Sequence, residues 1–206
     1  MRDCISIDTP VAKGENLSLE TCPKTQSEKD AMKRVPYSSA IGSLMYAMLY
    51  TSRYLLCSGL VSRYQSNPGQ THWKVVKRIL RYLRGTVDYK LCYQGSDLQL
   101  VGYSDADWGG DLDERKSTSG YVFLLNNGTI SWSSKKQTCI TLSTMEAEFI
   151  ACYTSIQEVV WLKRFMEHLG IIAKPIDAVQ IFCDSQAAMT YTKGPKYHSK
   201  TKHIDT

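Results

Sequence analysis

An apolar stretch that runs straight into carboxylates and glycines, Tyr103-Ser104-Asp105-Ala106-Asp107-Trp108-Gly109-Gly110-Asp111, limits what this chain can fold into. Leu98, Leu100 and Val101 lead into it, so it reads as a buried strand that Gly109 and Gly110 end in a turn. Two readings fit its far end. The aspartates can cap a turn, as Asp does at many strand ends, or they can gather around a metal ion. The residues that follow bear on the choice.

Residues 118 to 134 read as a hairpin, with Gly120 to Leu125 and Thr129 to Trp132 flanking Asn126-Asn127-Gly128. Ser143 opens a long helix that runs to about Leu169 before Gly170, with Met145, Phe149, Cys152, Ile156 and Val160 as its apolar stripe. Val179 to Cys183 is nearly all apolar, as a buried parallel strand should be, and delivers Asp184 to its end. A short helix follows from Ser185 to about Thr192. The pattern predicts an α/β fold: three antiparallel strands, then parallel strands, with helices crossing a mixed sheet. If the strands ending in Asp105 and Asp184 lie side by side in parallel, their side chains reach the same ion.

Glu146 has two readings. It can be a ligand from the first turn of the long helix, or the last residue of a capping box, Ser143-Thr144-Met145-Glu146, which the pattern alone favours. Glu148 is the rival ligand, and at 100° per residue the two glutamates stand about 160° apart, so they cannot both face one site. Three or four converging carboxylates without His or Cys partners favour a hard divalent cation, Mg²⁺ above others. The chemistry implied is phosphodiester hydrolysis with two ions about 3.5 to 4 Å apart. Asp107, Asp111 and Asp113 read as solvated turn residues, and His198 and His203 as polar loop groups.

Upstream, residues 1 to 35 carry scattered Pro, Gly, Ser and Lys without periodicity and read as an extended lead-in. A helix from Tyr37, capped by Ser38-Ser39, buries Ile41, Leu44, Met45 and Met48. A second, from Thr71 to Gly85, buries Trp73, Val76, Ile79, Leu80 and Leu83. Its other side carries Lys74, Lys77, Arg78, Arg81 and Arg84, either a stripe for a phosphate backbone or a solvated face. The net charge of +5 is concentrated in this tract and in 193 to 202, around the acidic focus at 105 to 114. Seven scattered cysteines without C-x-x-C spacing argue against disulfides or a zinc ribbon. No apolar run is long enough to span a bilayer, and the start lacks a signal peptide's apolar core. A soluble, intracellular protein without membrane or small-molecule partners is expected.

From about Pro36 to Thr206 the motifs resemble a known family. They include Gly42-Ser43-Leu44-Met45-Tyr46, Arg63-Tyr64 with Asn67-Pro68, His72-Trp73 through Arg84-Gly85-Thr86, Tyr103 to Trp108, Arg115 to Gly120, Leu142 to Glu148, Cys183-Asp184-Ser185-Gln186, and Thr201 to Asp205. This order is similar to the C-terminal part of copia-type LTR retrotransposon Pol polyproteins, the end of reverse transcriptase followed by ribonuclease H. The resemblance implies a helical connection over 36–97 and, over 98–206, a five-stranded ribonuclease H-like domain that cuts the RNA of an RNA/DNA hybrid with two Mg²⁺ ions. Its acidic quartet falls on Asp105, Glu146, Asp184 and Asp205, favouring Glu146 over Glu148, and the basic helix at 74–84 would help hold the duplex. Partners implied are the hybrid and the rest of a reverse transcriptase; the alternative is a non-catalytic nucleic-acid-binding remnant. Two departures stand out. Thr51-Ser52-Arg53-Tyr54 replaces the family's Thr-Arg-Pro-Asp, and the sequence stops at Thr206 where the family continues into a helix. The resemblance therefore implies a truncated domain of weak or lost activity, without the polymerase palm.

Overall fold

A computed structural model describes residues 4–12, 14–48, 55–93, 99–170 and 178–193. The chain divides after Lys90 into two units, ahead of the expected boundary at 97/98.

In the first unit α1 (Gln26–Met32), α2 (Tyr37–Ala47), α3 (Leu55–Ser62) and α4 (Gln70–Gly85) pack around one core that includes Ile41, Leu44, Val61, Val75, Val76 and Ile79. The lead-in is not merely extended. Thr25 caps α1 reciprocally, accepting from the Glu28 amide at 3.3 Å while Glu28 Oε2 accepts from the Thr25 amide at 3.0 Å. Leu17 and Met32 are buried in the shared core. Two anchors too far apart to register as periodicity thus order the segment.

α4 begins at Gln70, one residue before the expected Thr71, with Gly69 as its N-cap. Its buried stripe is His72, Val75, Val76, Ile79 and Tyr82, rotated slightly from the expected one. The rotation follows from His72, which is fully buried. Its Nδ1 accepts from the Gly69 amide at 2.9 Å, its Nε2 lies 3.2 Å from Thr21 Oγ1, and its ring stacks on Tyr64 at 4.2 Å. Gly69 is required there, because a Cβ would stand 2.4 Å from the Thr21 carbonyl oxygen.

The second unit is a mixed sheet of β1 (Leu100–Asp107), β2 (Thr118–Leu125), β3 (Gly128–Lys136) and β4 (Gln180–Phe182) in the order β3-β2-β1-β4. β1 and β2, and β2 and β3, are antiparallel, whereas β4 runs parallel to β1. Asn126 and Asn127 both adopt positive φ, the conformation that a tight hairpin turn needs. α5 (Thr144–His168) packs on β1 and β2, and α6 (Gln186–Lys193) follows β4. Leu100, Phe123, Val159, Leu162 and Met166 form the core.

The face that α5 buries differs from the expected stripe. Ala147, Glu148, Ala151, Ser155, Val159, Leu162 and Met166 point inward, while Ile156 and Val160 are exposed. Small side chains let the helix backbone approach the sheet, and a hydrophobicity pattern weights small residues least. Among the described residues no helix is long and apolar enough to cross a membrane.

Candidate functional site

The parallel pairing of β1 with β4 builds the site. Val101, Gly102 and Tyr103 stand opposite Gln180, Ile181 and Phe182. Carried two residues further, the same register sets Asp105 beside Asp184 at the carboxyl ends of neighbouring strands. Both are exposed. Strand ends suit this purpose because pairing fixes the backbone up to the last residue while the side chains beyond it stay open to solvent.

α5 supplies the third carboxylate, and it is Glu148. Its Oε1 accepts from the Ala106 amide at 3.2 Å, and the Cys183 thiol donates to its Oε2 at 3.8 Å. Oxygens of Glu148 and Asp184 and the sulfur of Cys183 lie within 4.8 Å of one another. Burial pushes the Glu148 carboxyl up, the Ala106 amide opposes this, and the charges of Asp105 and Asp184 push it up further. Glu148 is thus a desolvated acid facing two more acids, an arrangement that gains from a cation. Burial also pushes the Cys183 thiol up, to about 12.

Glu146, expected from the resemblance as a ligand, is engaged at the start of α5. Its Oε2 accepts from the Leu142 amide at 2.8 Å, and its own amide donates to Ser143 Oγ at 3.3 Å. It serves the helix start, but through the Leu142 amide and not the Ser143 amide that the expected capping box would use. Glu146 and Glu148 are equally buried, each 7% exposed, so orientation and not depth separates them. The two positions lie nearly half a helical turn apart, so once Ser143 turns Glu146 toward the helix start Glu148 must face the strand ends. Asp205, His198, His203 and the Thr51 to Tyr54 motif lie outside the described residues.

A buried polar network supports this rim. Gln137 Nε2 donates to Ser119 Oγ at 2.7 Å and to the Ala147 carbonyl at 3.0 Å, tying the end of the hairpin to the start of α5. Ser117 Oγ accepts from the Gly109 amide at 3.0 Å and lies 2.8 Å from Thr141 Oγ1, and Trp108 Nε1 donates to the Thr141 carbonyl at 3.3 Å. Asp111 is not a solvated turn residue. It is 4% exposed and pairs with Lys136 Nζ at 2.9 Å. Burial pushes its carboxyl up, but Lys136 and the amides of Glu114 and Asp113 outweigh this and hold it below the ordinary range.

The whole chain, 206 residues, is 50% identical to the retrovirus-related Pol polyprotein from transposon TNT 1-94 of Nicotiana tabacum. Over 200 residues, 96% of the chain, it is 35% identical to the retrovirus-related Pol polyprotein from transposon RE2 of Arabidopsis thaliana. The chain belongs to the copia-type Pol polyprotein family. It spans 15% and 13% of the lengths of those two relatives. The secreted RxLR effector protein 161 of Plasmopara viticola is 50% identical over 133 residues, 64% of this chain and 94% of that protein. No family model and no solved structure matches the chain.

In this Pol segment the basic stripe of α4 borders a cleft of about 380 Å³ lined by Glu15, Lys74, Lys77, Arg78 and Arg81. Lys74 and Lys77 are exposed. The lead-in engages the other three cations: Arg78 donates to Thr9 Oγ1 at 2.8 Å, Arg81 to the Ile5 carbonyl at 2.8 Å, and Arg84 to Cys4 Sγ at 3.8 Å. Reading the sequence named Glu148 only as the rival of Glu146, and it missed Cys183 as its neighbour. The helical wheel held the signal for the first, since a capped Glu146 leaves Glu148 to face the sheet. Nothing in the spacing marked the second.

Proposed function

We propose that the second unit is a ribonuclease H-like domain of a retrotransposon Pol polyprotein that hydrolyses the RNA strand of an RNA/DNA hybrid with magnesium, using Asp105, Glu148 and Asp184. The observation that carries this reading is the placement of Glu148: a buried carboxylate aimed at two exposed ones at the ends of parallel strands. An all-carboxylate oxygen set fits a hard divalent cation, so the residues present suit magnesium. When bound, a pair of Mg²⁺ ions would polarise the scissile phosphate and make water a nucleophile near neutral pH.

The chain's own residues do the rest. Asp105 is held by its pairing with Gly120, Asp184 follows two residues after β4, and both are open to solvent, so they are accessible to a ligand. The Ala106 amide orients Glu148, and the Gln137 links keep the start of α5 against the hairpin. Strand choice in such a site would rest on 2′-hydroxyls and duplex shape instead of base sequence. Lys74 and Lys77, with Arg78, Arg81 and Arg84 where the lead-in releases them, supply phosphate contacts, and pairing with the rest of a reverse transcriptase would add more.

The test is cleavage of end-labelled RNA in a hybrid by the purified chain with and without magnesium. Magnesium-dependent cutting lost in Asp105→Asn and Asp184→Asn supports the reading. Salt-sensitive hybrid binding with no cutting at any magnesium concentration sinks it in favour of a binding remnant.

A further inference from the structure

We propose that Cys152 and Cys183, with Glu148 and Asp184, form a site for one thiophilic divalent cation of the zinc and cadmium class, whose occupation excludes magnesium from the same rim. Its inhibitory consequence rests on the nuclease reading above; binding does not.

The donors converge. Glu148, Cys183 and Asp184 present ligand atoms within 4.8 Å of one another, and the Cys183 thiol already touches Glu148 Oε2 at 3.8 Å. Cys152 lies four residues after Glu148 on α5, hence on the same face one turn along, near enough to Cys183 for its thiol to help push that group up. Two sulfurs and two carboxylate oxygens make a four-donor set of the kind that tetrahedral zinc takes.

A second observation points the same way. Ser104 is 5% exposed and its Oγ has no hydrogen-bond partner among the described residues. The β1–β4 register, carried one residue past Tyr103 and Phe182, sets Ser104 beside Cys183 on the same face of the sheet. A buried hydroxyl without a partner is costly unless something polar arrives. Next to a metal-bound thiolate or carboxylate it gains an acceptor, the role that outer groups play around ligated metals. Magnesium makes poor use of these sulfurs, because it selects oxygen and keeps several waters in octahedral geometry.

The exchange balances: the cation enters, two thiols each lose a proton to solvent, and no electrons move. The exposed Asp184 gives it an entry path. Glu148 and Asp184 would serve both ions, so the two occupations compete.

The experiment titrates cadmium into the full reduced chain and reads the ultraviolet thiolate-to-cadmium charge-transfer band. One equivalent should saturate the band, Cys183→Ser and Cys152→Ser should each remove about half of it or more, and Cys92→Ser should leave it intact. A second readout needs no variant: zinc should protect Cys152 and Cys183 from alkylation, mapped by mass spectrometry. In the hybrid-cutting assay equimolar zinc should slow the wild type by about tenfold or more, and the double cysteine variant much less, each scored against its own rate in magnesium alone. An undiminished band in both single variants, or alkylation unaffected by zinc, overturns the proposal. A full band that requires Cys152 and Cys183 in a chain that cuts nothing upholds the site and refutes the nuclease. Cutting without a band does the reverse.

Discussion

Replacing Glu148 by Gln, and separately Glu146 by Gln, tests which glutamate serves the proposed metal centre. Glu148→Gln keeps the shape and a ligand oxygen but removes one of the charges that would face a dication. Unit charges about 4 Å apart at an effective dielectric of about 20 interact by about 4 kcal/mol. A dication doubles this, while the remaining amide oxygen and the relief of repulsion from Asp105 and Asp184 return much of it. A net loss of about 3 kcal/mol is a reasonable centre, roughly 150-fold in rate at limiting magnesium. Glu146→Gln keeps an oxygen to accept from the Leu142 amide and loses the favourable charge at the helix start, about 0.3 to 1 kcal/mol of stability. Its cutting rate should stay within about twofold. The assay is initial-rate cutting of a hybrid across a magnesium titration, with folding of each variant checked by circular dichroism. An inactive Glu146→Gln beside an active Glu148→Gln would refute the reasoning and restore the assignment that the family motif alone suggests.

Glu148 also makes stability depend on pH: its folded value is raised above 4.5, so its contribution is full below that and is lost as pH rises through the folded value. In metal-free buffer Glu148→Gln should therefore melt higher than the wild type at pH 8 but not at pH 4, and a thermal scan that shows no such crossover contradicts the placement. Lys136→Met removes the cation paired with the buried Asp111 carboxylate, which still accepts from the amides of Asp113 and Glu114, and should cost about 2 kcal/mol by urea unfolding. Because the folded Asp111 value is lowered, that pair stabilises above the ordinary 3.8 and fades as pH falls, so the gap between Lys136→Met and wild type should close in acid. Gly102→Ala puts a Cβ 2.5 Å from the fully buried Phe123 ring and should cost about 1 to 3 kcal/mol, partly recovered by Phe123→Leu in the double variant.

The hairpin, the parallel strand into Asp184 and the long capped helix were legible because each carries a strong local signal: two Asn at a turn, an unbroken apolar run, a capping box. The face of α5 was not. Its apolar residues at 156 and 160 suggested one stripe, but contact with the sheet is made by Ala147, Ala151 and Ser155, whose value lies in small size and not in hydrophobicity. The different surroundings of Glu146 and Glu148 were hidden for a related reason. In Glu146-Ala147-Glu148 a motif fixes the letters, and only the rotation of the helix on the sheet decides which acid looks where. The order of the lead-in was hidden because Leu17 and Met32 act through distant partners in α2 to α4. Cys183 was invisible as a neighbour of Glu148 because they sit 35 residues apart and meet only through the β1–β4 pairing.

The small residues beneath α5 give this segment uneven tolerance to drift. A bulkier side chain at Ala151 would act as a wedge, tipping the first turns outward and carrying the Glu148 oxygen away from the strand ends, while the outer surface at Ile156, Val160 and Trp161 can change its lettering without moving that oxygen. Copies of such an element released from selection would lose the proposed metal centre through one larger side chain at a position that no catalytic motif marks.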